Sequence, residues 1–364
     1  MNRRNFLKKH SVFLVGVLVM PNFLLAKHIK SRKFKVLYSF DIRYENKNFP
    51  AKLWNPLPLQ NSYQKVKTFV FHGNYNHYNI NTKNIYDAKV LYVSWAKSEK
   101  KKQLQIEMEI ETFERIVPLD TIKNMSKQNL LMPKEVQLYL EPTSHIPTSG
   151  KVALKSKELT AGITDRFEKV QAIYDWVTEV TFRDPSVIGC GVGDAGKMMD
   201  SGYFGGKCTD VSSLFVAFLR AVGVPAREVF GIRLGKSSFS NVLGKSDKNG
   251  LADISSRQHC RVEYYIPGAG WIPSDPADVT KLKLGEGLKY SDKRVQELKS
   301  KYLHSWEMNW IGFNYGRDFV LYPEPEQFPI NMLGYPYVEV TDEVLNYYSP
   351  KSFSYHITSQ ELDL

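Results

Sequence analysis

One cysteine of this sequence stands in a setting that favours nucleophilic chemistry. Cys208 follows two glycines and a lysine and precedes an apolar segment of helical periodicity. The first turn of a helix has unpaired backbone N–H groups and the positive end of the macrodipole, so a sulfur there is stabilised as a thiolate. The thiolate is the form in which cysteine attacks a carbonyl carbon. Cys208 is therefore the candidate nucleophile.

A predicted hairpin supplies the two other groups that a cysteine nucleophile needs. His259 begins its first strand, in HCRVEYYI, and Asp275 lies near the end of its second, in WIPSDPAD, with the turn PGAG between them. The fold-back brings both residues to the open end of one ribbon. There a carboxylate can hold the imidazole while the imidazole takes the thiol proton. Cys208, His259 and Asp275 thus form a candidate acyl-transfer triad.

The elements around these residues indicate a mixed α and β domain. An amphipathic helix is predicted from Thr164 to about Phe182, and a glycine-rich segment then leads to the helix that begins at Cys208. Gly223 and Pro225 end that second helix. A strand over 226–234, a polar loop over 235–250 and the hairpin follow.

Before this domain, the sequence predicts a small antiparallel β-sandwich over residues 34–140. β-rich runs occupy 34–44, 66–73, 88–97 and 104–117, and apolar residues alternate with glutamates in the last of them. The stretch EPTSHIPTSG at 141–150 is interpreted as a linker. The predicted division is a β-domain over 34–140, a catalytic core over 151–281, and an extension over 282–364 packed on the core.

The composition is that of a folded protein. The chain has 364 residues, 43% of them hydrophobic and 13% aromatic, which excludes a disordered or collagen-like chain. Its formal charge is +11, but residues 1–26 hold four basic residues and no acid, so the remainder carries +7. The lysine run at 100–102 is interpreted as a solvated hairpin turn, and no nucleic-acid partner is predicted.

Residues 1–26 are predicted to be an export signal. A positive start is followed by an apolar run that Pro21 interrupts, and Arg3-Arg4-Asn5-Phe6-Leu7-Lys8 resembles the twin-arginine pattern. The expected location is therefore the periplasm. An uncleaved anchor, which would tether the protein to the membrane, is the alternative, because Leu24 occupies a position where cleavage prefers a small residue.

The segments GGKCTDVSSLFVAFLRAVGVPAREVFGIRLG and QHCRVEYYIPGAGWIPSDPAD resemble the core of the transglutaminase-like superfamily over about residues 165–280. In that family a Cys opens a helix that ends in a Gly-x-Pro-Ala-Arg turn, a His opens a strand, and an Asp precedes a Pro. These positions match Cys208, His259 and Asp275. The leader and the segments LWNPLPLQ, SWEMNWIGFNYGRDFVLYP and LGYPYVEV are similar to exported bacterial members.

The resemblance implies an α+β protein in which a β-sandwich precedes a papain-like cysteine peptidase core, with acyl chemistry at a cysteine. Hydrolysis of a peptide or isopeptide bond in an envelope peptide, protein or peptidoglycan is the expected reaction. Amide crosslinking and a non-catalytic peptide-binding module are the alternatives, since the family contains all three. Papain-like relatives have an oxyanion-binding glutamine just before the cysteine, but residues 201–207 here are SGYFGGK. The backbone N–H of Cys208 can supply one oxyanion donor, and Tyr203 is one candidate for the second.

Some residues with functional potential have a simpler structural explanation. Cys190 and Cys260 either pair in an oxidising compartment or stay free near the site. His72 and His77 are expected at the surface, and neither a metal nor a cofactor is predicted. The C-terminal aromatic residues are expected to pack in the core, with stacking on sugar rings as the alternative; they are Trp306, Trp310, Phe313, Tyr315, Phe319 and Tyr322.

Overall fold

The computed structural model describes residues 30–43, 48–99, 101–326, 329–341, 343–351 and 353–362. The predicted export signal lies outside these residues. None of the helices in the described ranges is both long enough and apolar enough to span a membrane.

The N-terminal part of the chain is β-rich. Its strands are β1 (Ser31–Asp41), β2 (Ala51–Pro56), β3 (Gln64–Gly73), β4 (His77–Asn81), β5 (Val90–Trp95), β6 (Gln103–Phe113) and β7 (Arg115–Ile116). Along β6, Leu104, Ile106, Met108 and Ile110 are buried while the residues between them reach solvent. The alternation seen in the sequence therefore places one face of this strand in the core. Lys102 departs from the predicted solvated turn, because it is buried against the Phe49 ring.

The middle of the chain contains most of the described helices. They and the strands between them are α1 (Leu119–Ser126), a 3-10 helix (Lys134–Leu140), α2 (Gly150–Leu159), α3 (Arg166–Val180), β8 (Phe182–Arg183), α4 (Ala195–Ser201), β9 (Gly205–Gly206), α5 (Cys208–Ala221), β10 (Ala226–Arg233), β11 (Leu251–Asp253), β12 (Gln258–Ile266), β13 (Gly270–Ser274) and α6 (Pro276–Gly285). The described C-terminal part adds α7 (Lys293–Tyr302), β14 (Ser305–Trp306), β15 (Trp310–Asn314), β16 (Arg317–Phe319), β17 (Ile330–Met332), β18 (Tyr337–Val340), β19 (Glu343–Val344) and β20 (Tyr355–Glu361).

Two five-stranded antiparallel sheets form the sandwich, in the orders β11-β20-β1-β6-β3 and β19-β18-β2-β5-β4. Strands from the C-terminal part of the chain complete both sheets, since β20 pairs with β1 and β18 with β2. The apolar faces of the two sheets form one hydrophobic cluster that includes Val36, Leu53, Leu91 and Ile106. Residues 282–364 therefore contact the sandwich as well as the core, and the predicted domain limits stay a prediction.

The core domain is built around α5. Every residue from Cys208 to Arg220 is buried, because this helix packs against other helices and against the four-stranded sheet β13-β12-β10-β15. The buried polar side chains of this helix form hydrogen bonds inside the protein, since Asp210 accepts from the Gly193 N–H, Ser213 donates to Glu228 and Arg220 donates to the Ala226 carbonyl. Its first residue is consequently held at a fixed position relative to β12.

A charge network joins β7, which directly follows the sandwich strand β6, to this sheet. The Glu263 carboxylate of β12 pairs with Arg115 of β7 and, at 2.6 Å, with Arg227 of β10. Burial raises the pKa of Glu263, but the two guanidinium groups outweigh it and hold the pKa below its usual range.

Candidate active site

Cys208 is the first residue of α5, as the sequence predicts, and its side chain is 4% exposed. Asp210 in the first turn accepts hydrogen bonds from the backbone N–H of Lys207 at 2.8 Å and of Gly193 at 2.7 Å. The carboxylate thus ties the glycine-rich segment to the beginning of the helix. Its place in the first turn suits it to stabilise the helix dipole, and the structure adds this loop-anchoring role.

Gly193 shows why that segment is rich in glycine. Its φ is +73°, and a Cβ atom there would lie 2.3 Å from the Ser213 Oγ. Only glycine permits so close an approach in the left-handed region. The tight packing is accompanied by a hydrogen bond of 2.9 Å from the Thr209 N–H to the Cys190 carbonyl, which brings Cys190 beside Cys208.

His259 and Asp275 lie at the open end of the β12-β13 hairpin. Val262 faces Ser274 in the register, so His259 extends three residues beyond it, and Asp275 is the N-cap of α6. The His259 Nε2 atom is 2.8 Å from an oxygen of Asp275. This contact leaves the other ring nitrogen, Nδ1, for Cys208, with whose side chain the imidazole forms a hydrogen bond. The structure therefore brings the three sequence-predicted residues into one chain of contacts.

Asp275 is fully buried and has several donors. Its Oδ2 also accepts from the Arg261 Nε at 3.1 Å, and its Oδ1 accepts from the backbone N–H of Asp278 at 3.1 Å. Burial raises the pKa of Asp275, and the neighbouring Asp278 adds to that increase, whereas His259 and Arg261 oppose it. Asp278 itself is paired with Arg233, whose guanidinium outweighs burial and holds the pKa of this carboxyl well below its usual range. The His259 imidazole thus lies beside two carboxylates, Asp275 and Asp278, each of which is also paired with an arginine.

The electrostatics around the sulfur favour a thiolate. A hydrogen bond with Cys190 and, after it, the interaction with His259 and the backbone N–H of Cys260 lower the pKa of Cys208 well below its usual value, although burial acts the other way. The pKa of Cys190 is raised well above its usual value by the same hydrogen bond and by burial. The opposite shifts favour a protonated Cys190 beside a Cys208 thiolate.

Cys190 is a free thiol near the site, which is one of the two sequence-based alternatives, but sequence reasoning missed its contact with Cys208. A bridge between Cys190 and Cys260 is one of the two sequence-based alternatives, but all three cysteines are free in the structure. Cys190 instead lies beside Cys208, where it accepts a hydrogen bond of 2.9 Å from the Tyr335 hydroxyl, while its own sulfur is 3.2 Å from the Gln258 carbonyl oxygen. The glycines around Cys190 were the available signal, because they indicate a loop that is tightly packed near the nucleophile.

A cavity of about 210 Å³ opens onto the sulfur. Cys208, Cys190 and His259 line it together with Tyr335 and Tyr348. Tyr203, the candidate for a second oxyanion donor, does not line this cavity, and its hydroxyl donates instead to Asp184 at 2.9 Å. The backbone N–H of Cys208 remains a candidate oxyanion donor, because it lies at the N-terminus of α5.

One group of side chains has the composition of a metal site. Among the described residues, ligand atoms of His259, Asp275 and Asp278 lie within 4.8 Å of one another. The two carboxylates are bonded to Arg261 and Arg233, and cations in contact with both acids disfavour a further cation between them. His72 and His77, which the sequence places at the surface, are exposed in the sandwich.

The C-terminal aromatic residues mostly pack inside the protein. Trp306, Trp310, Phe313 and Phe319 are at most 4% exposed. The Trp310 Nε1 atom donates to the His259 carbonyl at 2.9 Å. These four rings have no free face for a sugar, so the alternative of a stacking surface is wrong for them.

The chain is similar to known proteins in both sequence and fold. Residues 155–276 match the profile described as the transglutaminase-like superfamily. An uncharacterized protein of Haemophilus influenzae strain Rd is 41% identical over 323 residues, which cover 86% of each chain. The crystal structure of a proposed cysteine protease from Cytophaga hutchinsonii covers 92% of each chain with a TM-score of 0.57 and 14% identity, which shows a shared fold. The periplasmic domain of TgpA from Pseudomonas aeruginosa covers 73% of this chain and 92% of its own, with a TM-score of 0.36 and 14% identity.

Proposed function

Because the chain belongs to the transglutaminase-like superfamily, we propose that it is a cysteine-dependent enzyme that breaks a peptide or isopeptide amide bond. Cys208 is the nucleophile, His259 carries the proton, and Asp275 orients His259. The main support is the buried chain of contacts that runs from the Cys208 sulfur through the imidazole to the Asp275 carboxylate. The Cys208 sulfur lies at a cavity whose wall includes exposed residues, so a substrate can reach the sulfur from solvent.

The reaction begins with attack of the Cys208 thiolate on the amide carbonyl carbon. A C–S bond forms, and the carbonyl oxygen takes the negative charge at the N-terminus of α5, where the backbone N–H of Cys208 is available. The protonated imidazole then gives its proton to the amide nitrogen, the C–N bond breaks, and an amine leaves. Asp275 stabilises the positive charge that His259 carries before this step.

The thioester that remains is resolved by a second nucleophile. In hydrolysis, His259 takes a proton from water as the water oxygen attacks the thioester carbon, and Cys208 leaves as the thiolate. In crosslinking, an amine would take the place of water. We propose hydrolysis, because water is the default acceptor unless a site excludes it.

We further propose that the enzyme acts in the periplasm on an envelope peptide, protein or peptidoglycan. The twin-arginine pattern in residues 1–26 supports this location. A membrane tether would follow only if that leader stays uncleaved. No nucleic acid and no cofactor is part of the proposed reaction.

Alkylation of the purified protein with iodoacetamide tests the proposed nucleophile. The rate at each cysteine is measured by peptide mass spectrometry as a function of pH, with N-acetylcysteine as the reference thiol. Cys208 is expected to react faster than the reference near neutral pH, because more of it is thiolate. His259→Ala should slow that reaction, and Asp275→Asn should slow it less.

The enzyme proposal fails if Cys208 reacts no faster than the reference and His259→Ala leaves the rate unchanged. Envelope fractions incubated with the protein and with Cys208→Ala then identify the substrate by the products that only the wild type releases. Incorporation of a labelled primary amine into those products would indicate transfer instead of hydrolysis.

A further inference from the structure

The cavity at Cys208 is lined by an unusual set of charges. Five basic side chains line it, and the described residues of its wall include no aspartate or glutamate; the five are Arg183, Arg233, Lys245, Arg257 and Lys281. They come from separate parts of the chain: β8, the end of β10, the connections on either side of β11, and α6. The fold thus gathers positive charge at the nucleophile.

Two of these five side chains have partners in the protein. Arg233 is buried, pairs with Asp278 and donates at 2.7 Å to the Leu243 carbonyl. Arg257 donates to the Lys245 carbonyl. Part of the hydrogen-bonding capacity of Arg233 and Arg257 is therefore used within the protein.

The other three have no such partner. Within the part of the chain that the structure describes, the side chains of Arg183, Lys245 and Lys281 form no hydrogen bond and no ion pair within 4 Å. Lys245 is exposed, whereas Arg183 and Lys281 are half-buried beside the cavity. A half-buried cation with no counterion within 4 Å is unfavourable, so an anion in the cavity would relieve it.

Lys281 is the one of the three whose pKa is shifted most clearly by its surroundings. Burial, and then the positive charges of Arg233 and Arg183, lower its pKa to about 7, although Asp278 and the Cys208 thiolate oppose that shift. Such repulsion between neighbouring cations is characteristic of a site that binds an anion.

We propose that this cavity binds a carboxylate of the acyl donor, carried by a residue that flanks the scissile amide, through Lys281 and Arg183. This rests on the proposed function, since it assigns a substrate class to the same nucleophile. The carboxylate is the anionic group that peptides carry, and a guanidinium binds it in a bidentate manner. The same charges repel a protonated amine, which agrees with water as the acceptor.

A pair of alkylating reagents tests the proposal at the sulfur itself, so the natural substrate need not be identified first. Iodoacetate and iodoacetamide form the same S–C bond and release the same iodide, but only iodoacetate carries a carboxylate next to the reacting carbon. The ratio of their rates at Cys208 is divided by the ratio for N-acetylcysteine amide, a reference thiol without a carboxylate, at the same pH. We expect a normalised ratio of about ten or more, as for one charge about 6 Å away at an effective dielectric constant of about 40.

Substitutions identify the side chains that bind the carboxylate. Lys281→Gln and Arg183→Gln are each expected to lower the normalised ratio several-fold. Lys248→Gln is the matched control, because it removes the same charge from an exposed residue that does not line the cavity. A normalised ratio near one in the wild type would overturn the proposal, and so would a ratio that Lys281→Gln, Arg183→Gln and Lys248→Gln leave equally unchanged.

The result also separates this proposal from the proposed function. If Cys208 reacts slowly with both reagents, the nucleophile assignment fails. If it reacts fast with both at the normalised ratio of a free thiol, only the anion site fails.

Protection of Cys208 from iodoacetamide then distinguishes the sources of the carboxylate. The probes are N-acetyl-Ala-Ala with a free C-terminus, N-acetyl-Ala-Glu-amide and N-acetyl-Ala-Gln-amide. Protection by the first indicates a C-terminal carboxylate, protection by the second an acidic side chain, and equal protection by all three overturns the proposal.

Discussion

Cys190→Ala is expected to raise the pKa of Cys208. The Cys190 thiol has two acceptors within reach, the Gln258 carbonyl oxygen and the Cys208 sulfur. When Cys208 is a thiolate it is the charged acceptor, and a charged acceptor forms the stronger hydrogen bond. Removal of the donor therefore destabilises the thiolate more than the thiol.

The size of the effect follows from the type of hydrogen bond. A bond to a charged group contributes about 1.5–3 kcal/mol. Because S–H is a weak donor, we take the lower end, which corresponds to a rise of about one pKa unit. Below the pKa of both proteins, the fraction of Cys208 that is thiolate should fall about tenfold, and its alkylation rate should fall with it.

The measurement is the iodoacetamide rate at Cys208 across a pH range of about 5 to 9. Cys190→Ser is the matched control, since its hydroxyl is a stronger donor than the thiol and should keep the profile close to that of the wild type. A Cys190→Ala profile that coincides with the wild-type profile would refute the reasoning. So would an equal displacement in both variants, which would indicate altered packing instead of a lost donor.

Three further predictions concern the loop, the charge network and the cavity. Gly193→Ala should destabilise the protein in urea unfolding by about 2–3 kcal/mol more than Gly162→Ala, because both positions have positive φ but only the first would clash with a neighbouring side chain. Glu263→Gln should lower stability at pH 7 by about 3 kcal/mol, since it leaves two half-buried arginines without this counterion. The depressed pKa of Glu263 means that the wild type has this stabilisation above the unfolded pKa and loses it as the pH falls through the folded pKa, so the difference between the two proteins should shrink in acid. The normalised iodoacetate ratio at Cys208 should fall as the pH rises through about 7, where Lys281 loses its proton, and should be flatter in Lys281→Gln; a constant wild-type ratio would contradict this.

Sequence reasoning predicted the elements that have a local signal. The start of α5 at Cys208 was predictable because a glycine pair and an apolar periodic run mark a helix N-terminus. The hairpin that carries His259 and Asp275 was predictable because the turn PGAG separates two β-rich runs. The α+β fold class follows from the same patterns, and the structure and the comparisons confirm it.

Contacts between distant segments had no local signal. The sequence shows a glycine-rich stretch around Cys190, but only the tertiary packing of that loop on α5 brings Cys190 to Cys208. Likewise, nothing in the run ending at Glu361 reveals that β20 pairs with β1. Pairings of this kind depend on the shape of the assembled sheets, which strand propensity does not encode.

The structure shows where the positive charges lie, which the total charge of the sequence does not. As a total of +7 outside the leader, it indicates at most a weak affinity for anionic surfaces. In the folded chain, Arg183 and Lys281 line the cavity at Cys208, and among the described residues neither forms an ion pair within 4 Å. A primary amine is protonated near neutral pH and would be repelled there, whereas water would not. The location of the charges, and not their number, is therefore what supports the proposal of hydrolysis of an amide in a carboxylate-bearing substrate over transfer to an amine.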